Sequence, residues 1–122
     1  MSRYIDGGRN GDCLWTIDKD YTLLIEPLEN TNGILDNYSY DGYEWPWTYY
    51  ASDIRKVVIK NGVTANRDIS FMFSGMENCE DFDIASLDVS KVKTANGLFL
   101  GCHSPAGLST LSPTSELTHR LC

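Results

Sequence analysis

Histidine is almost missing from this chain. The two that occur, His103 and His119, both lie in the final stretch 103–122. A Ser-His-Asp or Cys-His nucleophile needs an imidazole beside it, so residues 1–102 hold no such catalytic set. Cysteine is sparse and scattered. Cys13, Cys79, Cys102 and Cys122 form no CxxC pair, which excludes a thioredoxin-like motif and a zinc ribbon. His103 beside Cys102, and His119 near Cys122, fit no structural zinc spacing, so neither a metal nor another cofactor is expected. Cys13, Cys79 and Cys102 are expected as buried free thiols. Basic residues number 10 against 17 acidic ones, for a formal charge of −7. Such a chain repels phosphate backbones and anionic membrane surfaces, so nucleic acid is not an expected partner. No apolar run approaches the roughly 20 residues that span a bilayer, and no membrane insertion is expected. Residues 1–10 lack the apolar core of a signal peptide. Taken alone, that implies a cytoplasmic chain, or a module of a longer secreted protein. No glycine-rich phosphate loop follows a strand pattern.

What is present suits one folded domain. The 122 residues are 42% hydrophobic and 22% charged, well inside the globular range. Four Phe, three Trp and seven Tyr lie between Tyr4 and Phe99, and half of them fall in the segment Tyr38–Tyr50. Residues 1–10 are rich in Gly, Asn and Asp and read as a flexible leader. Asp6 to Asp12 superficially matches a calcium loop, but Gly8 takes a ligand position and Ile17 stands where Glu should close it.

Cys13-Leu-Trp-Thr-Ile-Asp18 alternates with a period of two, as does Tyr21-Thr-Leu-Leu-Ile25. The polar link Asp18-Lys-Asp20 between them predicts a β-hairpin. Pro27 and the stretch Glu29–Gly33 end it. Ser52–Arg55 could form one helical turn. Arg55–Lys60 carries a β-branched run before Asn61-Gly62 and is the strongest strand signal.

The second half repeats itself at an offset of 26 residues. Met72-Phe-Ser-Gly75 returns as Leu98-Phe-Leu-Gly101, and Val58, Val63, Ile69 and Phe73 map onto Ile84, Val89, Ala95 and Phe99. A period in the twenties marks a solenoid, whose units bury their apolar faces against one another. Short strands at Val57–Ile59 and Phe82–Ile84 should pair in parallel. The returning segments Ser70–Gly75 and Asn96–Gly101 should carry Phe73 and Phe99 into the core, with a glycine turning each corner. The second copy has Ala95-Asn96-Gly97 where the first has Ile69-Ser70-Phe71. Residues 103–122 abandon the pattern and read as an irregular tail.

These residues resemble a known family. Cys13-Leu-Trp-Thr-Ile-Asp, Thr22-Leu-Leu-Ile, Pro46-Trp-Thr-Tyr-Tyr and Ile54–Val63 resemble the opening module of BspA-like leucine-rich-repeat proteins. Met72–Cys79, then Leu87-Asp-Val-Ser-Lys-Val92 with Leu98–Cys102, resemble that group's bacterial surface-protein repeat. The resemblance spans about residues 11–102. It implies a non-enzymatic interaction or adhesion module, secreted or at a cell surface, that contacts protein ligands.

The expected fold is therefore β-rich, α+β at most. A hairpin and aromatic cap over 11–54 leads into two leucine-rich-repeat-like coils of a right-handed solenoid over 55–102. The expected binding residues are Tyr43, Trp45, Trp47, Tyr49 and Tyr50, types that dominate interface hot spots. Their rings also suit sugar faces, so a glycan is the alternative ligand for Tyr38–Tyr50. Strand-like alternation would bury Trp45, Trp47 and Tyr49 and expose Glu44, Thr48 and Tyr50, although Pro46 interrupts the run. Packing of the cap competes with binding for the same rings. A second alternative is a small hydrolase using the acidic run Glu77, Glu80, Asp81 and Asp83, since paired carboxylates can do acid–base work. A solvated charged edge is the simpler reading of that run. The last coil would leave an open strand edge, and self-association through it is expected.

Overall fold

The computed structural model describes residues 3–38 and 45–102. The expectations for Tyr43, Glu44, Cys122 and the tail 103–122 lie outside these residues. The fold is β-rich, with no α-helix among the described residues. Five strands form one mixed sheet in sequence order: β1 (Tyr4–Asn10), β2 (Cys13–Asp18), β3 (Thr22–Pro27), β4 (Lys56–Ile59) and β5 (Asp81–Asp83). The first two pairings are antiparallel and the last two parallel. The ends of the order, β1 and β5, do not pair, so the sheet is not a barrel.

The expected hairpin is present as β2 and β3. The Asp18 carboxylate accepts the N–H groups of Asp20 (2.9 Å) and Thr22 (3.0 Å) and so shapes the turn. Tyr21 takes a left-handed φ of 59° there, which is why β3 begins at Thr22 rather than Tyr21. Cys13, Trp15 and Ile17 on β2 and Leu23 and Ile25 on β3 are buried, as a one-sided period-two pattern requires.

Residues 4–10 correct the expectation of a leader. They form a seven-residue edge strand paired with β2. Its glycines have a packing reason. Gly8 faces Trp15 across the pair, and a Cβ there would sit 3.1 Å from the indole nitrogen. A Cβ on Gly7 would sit 2.9 Å from the Trp15 carbonyl oxygen. Both positions mark the close backbone approach that glycine in a strand often signals.

β4 and β5 are parallel, pairing Val57 with Phe82. Beyond the strands, the chain segments continue to run side by side. Single parallel bridges join Ile34 to Thr64, Thr64 to Asp88, and Asp68 to Thr94. The N–H groups of Ile69, Phe71, Phe73 and Gly75 donate to the carbonyls of Thr94, Asn96, Leu98 and Leu100 at 2.7–3.0 Å. Phe73 and Phe99 stack at 5.6 Å and 22°, and Phe82 meets both rings edge-on.

The register departs from a uniform 26-residue offset. It is 25 in the strands, 24 at the Thr64–Asp88 bridge and 26 in the returning segment. Ile69 and Phe73 therefore sit in register with Ala95 and Phe99, but Val58 does not match Ile84, nor Val63 Val89. Val58 pairs with Asp83, and both are less buried than their flanking neighbours Val57, Ile59, Phe82 and Ile84. A shift of one residue exchanges the two faces of a strand.

Candidate binding groove

The aromatic segment leaves its proline as a turn. Thr48–Tyr50 is a short 3-10 helix, with Ala51 and Ile54 continuing the hydrogen-bonded turn. The helical turn thus falls ahead of the expected Ser52–Arg55. Its near-three-residue period overrides the expected alternation. Trp45 and Trp47 are buried, but Tyr49 is 85% exposed and Tyr50 is only partly covered. The two indoles stack at 5.5 Å and 17°. Their N–H groups donate to the carbonyls of Ser70 (2.8 Å) and Met72 (2.7 Å), tying this segment to the returning chain. Trp15 meets Trp47 edge-on at 6.2 Å.

Of the expected binding residues, Trp47 is fully enclosed and Trp45 shows only an edge. Tyr49 projects from the surface, packing edge-on against Tyr50. The Tyr50 hydroxyl donates to the Asp6 carboxylate at 2.7 Å. That bond, with one from the Gly7 N–H, holds the Asp6 carboxyl below its ordinary range, and the same carboxylate raises the Tyr50 hydroxyl.

Two neighbouring cavities open beside Trp45. The larger, about 470 Å³, is lined by the polar residues Arg9, Asn10, Asp36 and Asn37 together with Tyr38, Trp45 and Pro46. The smaller, about 300 Å³, shares Tyr38 and Trp45 and adds Phe71 and Leu100. The Tyr38 ring lies 6.3 Å from Trp45 and 5.3 Å from Phe71.

Gly11 brings the polar wall together. It has a φ of 58°, and a Cβ there would lie 2.4 Å from the Ile34 carbonyl oxygen, so only glycine lets the β1–β2 turn meet residues 34–36. Across this contact Asp36 accepts the Gly11 N–H (3.0 Å), and Asn10 accepts the Asp36 N–H through Oδ1 (2.9 Å). The Arg9 Nε donates to the Gly11 carbonyl (2.8 Å), and the Asn37 Oδ1 accepts the Asp68 N–H (3.0 Å). The sequence reading missed Arg9, Asn10, Asp36 and Asn37. Arg9 and Asn10 end the glycine-rich β1, Asp36 and Asn37 lie in a loop with no periodic pattern, and Gly11 was the one local mark of the junction.

The acidic run faces solvent. Glu77, Glu80, Asp81 and Asp83 are exposed, and Asp81 pairs with Lys56 at 3.5 Å. Glu80 alone of the four lines a third, polar cavity, beside Arg55 and Asp53. Cys13, Cys79 and Cys102 are free thiols, the first two buried and Cys102 partly exposed. Burial is the main cause that pushes the thiols of Cys13 and Cys79 up to about 11. Among the described residues no three His, Cys, Asp or Glu side chains gather as a metal site, and no helix is long and apolar enough to cross a membrane.

No protein-family model, curated protein or solved structure matches this chain.

Proposed function

We propose that this chain is a non-catalytic interaction module built on stacked leucine-rich-repeat-like coils, secreted or held at a cell surface. The observation that carries this reading is the recurrence of backbone geometry at the 26-residue period. Gly75 and Gly101 share left-handed φ values of 79° and 81°. Phe71 and Gly97 share values of 61° and 60°. The N–H ladder between the two returning segments and the Phe73–Phe99 stack lie between these points. Matching of a rare conformation, and not of side-chain type alone, supports two copies of one coil.

Stacked coils present extended surfaces for recognition. The exposed Tyr49 and the grooves beside Trp45 are the features of this surface suited to contact. Among the described residues the sheet ends on β5, whose outer edge pairs with no other described strand and suits a further coil or a second copy, so self-association belongs to the same reading.

The test is saturable binding of the purified chain to intact cells and immobilised extracellular-matrix proteins, competed by the same chain in solution. Sedimentation velocity over a concentration series reads the self-association. Absence of saturable binding, together with turnover of ester or glycoside substrates abolished by Glu80→Gln, would overturn the proposal.

A further inference from the structure

Asn10 is one of two buried polar residues among those described, with 8% of its surface exposed. Its side-chain oxygen accepts the Asp36 N–H at 2.9 Å. Among the described residues its Nδ2 finds no acceptor, and the residue lines the larger cavity beside Trp45. A buried donor left without an acceptor costs about 1–3 kcal/mol, a cost that water or a ligand oxygen entering the cavity relieves.

The rest of that wall repeats the arrangement. Each side chain spends one polar atom on the backbone and has another that bonds to none of the described residues. Asp36 uses one carboxylate oxygen on the Gly11 N–H and keeps the other. Asn37 uses Oδ1 on the Asp68 N–H and keeps Nδ2. Arg9 uses Nε on the Gly11 carbonyl and keeps its terminal N–H groups. The backbone bonds fix the orientation of the remaining donors and acceptor before any ligand arrives, which lowers the ordering cost of binding.

We propose that this groove is a binding site for a neutral pyranose, a terminal or internal sugar ring of a glycan. The inference deepens the interaction-module reading and rests on it, naming what the module recognises. A sugar hydroxyl both donates and accepts, so adjacent hydroxyls match amide and guanidinium donors beside a single carboxylate acceptor. The opposite face of the ring is C–H rich and matches the half-buried Tyr38 and Pro46 and the nearly buried Trp45 that line the same cavity. An anionic ligand would meet the Asp36 carboxylate and a chain of charge −7. A wholly apolar ligand would leave the Asn10 donor unmet. The cavity of about 470 Å³ falls within the roughly 300–1,000 Å³ usual for small-molecule sites.

A second observation extends the same wall. Phe71 holds a left-handed φ of 61°, a conformation costly for a bulky residue, where its repeat equivalent is glycine. It keeps an aromatic ring against Tyr38 and Leu100 in the adjoining cavity. Strain retained at a half-buried ring that lines a cavity is the kind of outlier that clusters at ligand sites.

The experiment is a glycan array with the whole chain. It is followed by saturation-transfer NMR and calorimetry with glucose, galactose, mannose and N-acetylglucosamine and their disaccharides. Inorganic phosphate and a glycine-rich peptide serve as other probes. Asp36→Asn and Asn37→Asp keep the backbone-facing oxygen while changing the cavity-facing atom, so both variants should fold. Each should weaken binding at least tenfold, whereas Lys60→Gln should not. No saturable neutral-sugar binding, an affinity unmoved by both groove variants, or preference for phosphate or peptide would each overturn the site. Cell or matrix binding that survives periodate oxidation of the surface glycans and excess free sugar would sink this inference and leave the interaction-module reading standing.

Discussion

Phe71 offers the sharpest test of how the coils are built. At most positions alanine is more stable than glycine, because glycine leaves the unfolded chain freer by about 0.4–1 kcal/mol. Phe71 should reverse the order. Its φ of 61° lies in the left-handed region. There an L-residue carries a cost of about 1–2 kcal/mol that glycine escapes. Phe71→Ala and Phe71→Gly lose the same ring contact with Tyr38, so that loss cancels between them. The remainder favours glycine by about 0.5–1 kcal/mol. For a urea m-value of about 2 kcal/mol/M, the glycine variant should unfold at a midpoint roughly 0.3–0.5 M higher.

The comparison with the parent chain is also informative. Removing a half-buried ring costs on the order of 1–2 kcal/mol, close to the strain that glycine relieves. Phe71→Gly should therefore stay within about 1 kcal/mol of the parent while Phe71→Ala falls below both. Emission from Trp15, Trp45 and Trp47, all buried, reports the transition. A coupled test uses Gly97, where a Cβ would lie 2.6 Å from the Phe71 ring. Gly97→Ala should be less damaging when Phe71 is already glycine, giving a favourable coupling in the double-mutant cycle. An alanine variant as stable as the glycine variant would refute the strain at Phe71, and with it the equivalence of Phe71 and Gly97.

Other expectations follow from the same packing. Trp47→Phe keeps most of the buried ring but leaves the Met72 carbonyl without its indole donor, so urea unfolding should show a loss of about 1–3 kcal/mol, against about 3–5 for Trp47→Ala. Cys13 and Cys79 ionise near 11 when folded and near 9 otherwise, so the unfolded chain loses these protons first as pH rises. Stability should hold below pH 9 and decline between 9 and 11, and replacing both thiols with alanine should flatten that window relative to the parent's slope. Cys13 and Cys79, read by peptide mapping, should also resist iodoacetamide at pH 8 until urea unfolds the chain. Tyr50→Phe should let the Asp6 carboxyl rise towards its ordinary value, read by NMR titration. Because Asp6 is depressed in the fold, its link to Tyr50 should persist above the unfolded value and disappear as pH falls through the folded one.

Local pattern revealed the elements whose signals are local. The β2–β3 hairpin was legible because one face alternates and Asp18 marks the turn; β4 was legible from its β-branched run. β1 was not, because Gly7 and Gly8 read as linker, and their reason lies on the neighbouring strand, in Trp15. Tyr49 was misplaced because the chain after Pro46 turns with a period near three, so that Trp47 and Tyr49 no longer share a face. The groove was half visible. Trp45 belongs to an obvious aromatic cluster, but Asn10, Asp36 and Asn37 meet only because Gly11 lets two loops touch.

The repeat shows most clearly what residue identity conceals. By residue type alone, Ala95-Asn96-Gly97 is a weak match to Ile69-Ser70-Phe71. The backbone reverses that judgement at its last position. Both Phe71 and Gly97 stand near a φ of 60°, which glycine adopts without penalty and phenylalanine does not. Gly97 is therefore the residue this corner of the coil asks for, and Phe71 is the departure. The departure also has a consequence for its neighbour, since the Phe71 ring fills the space a side chain at 97 would need. Glycine at 97 thus lets the second coil stack against the Phe71 ring, and the side chain that breaks the rule is the one that lines the smaller cavity beside Trp45.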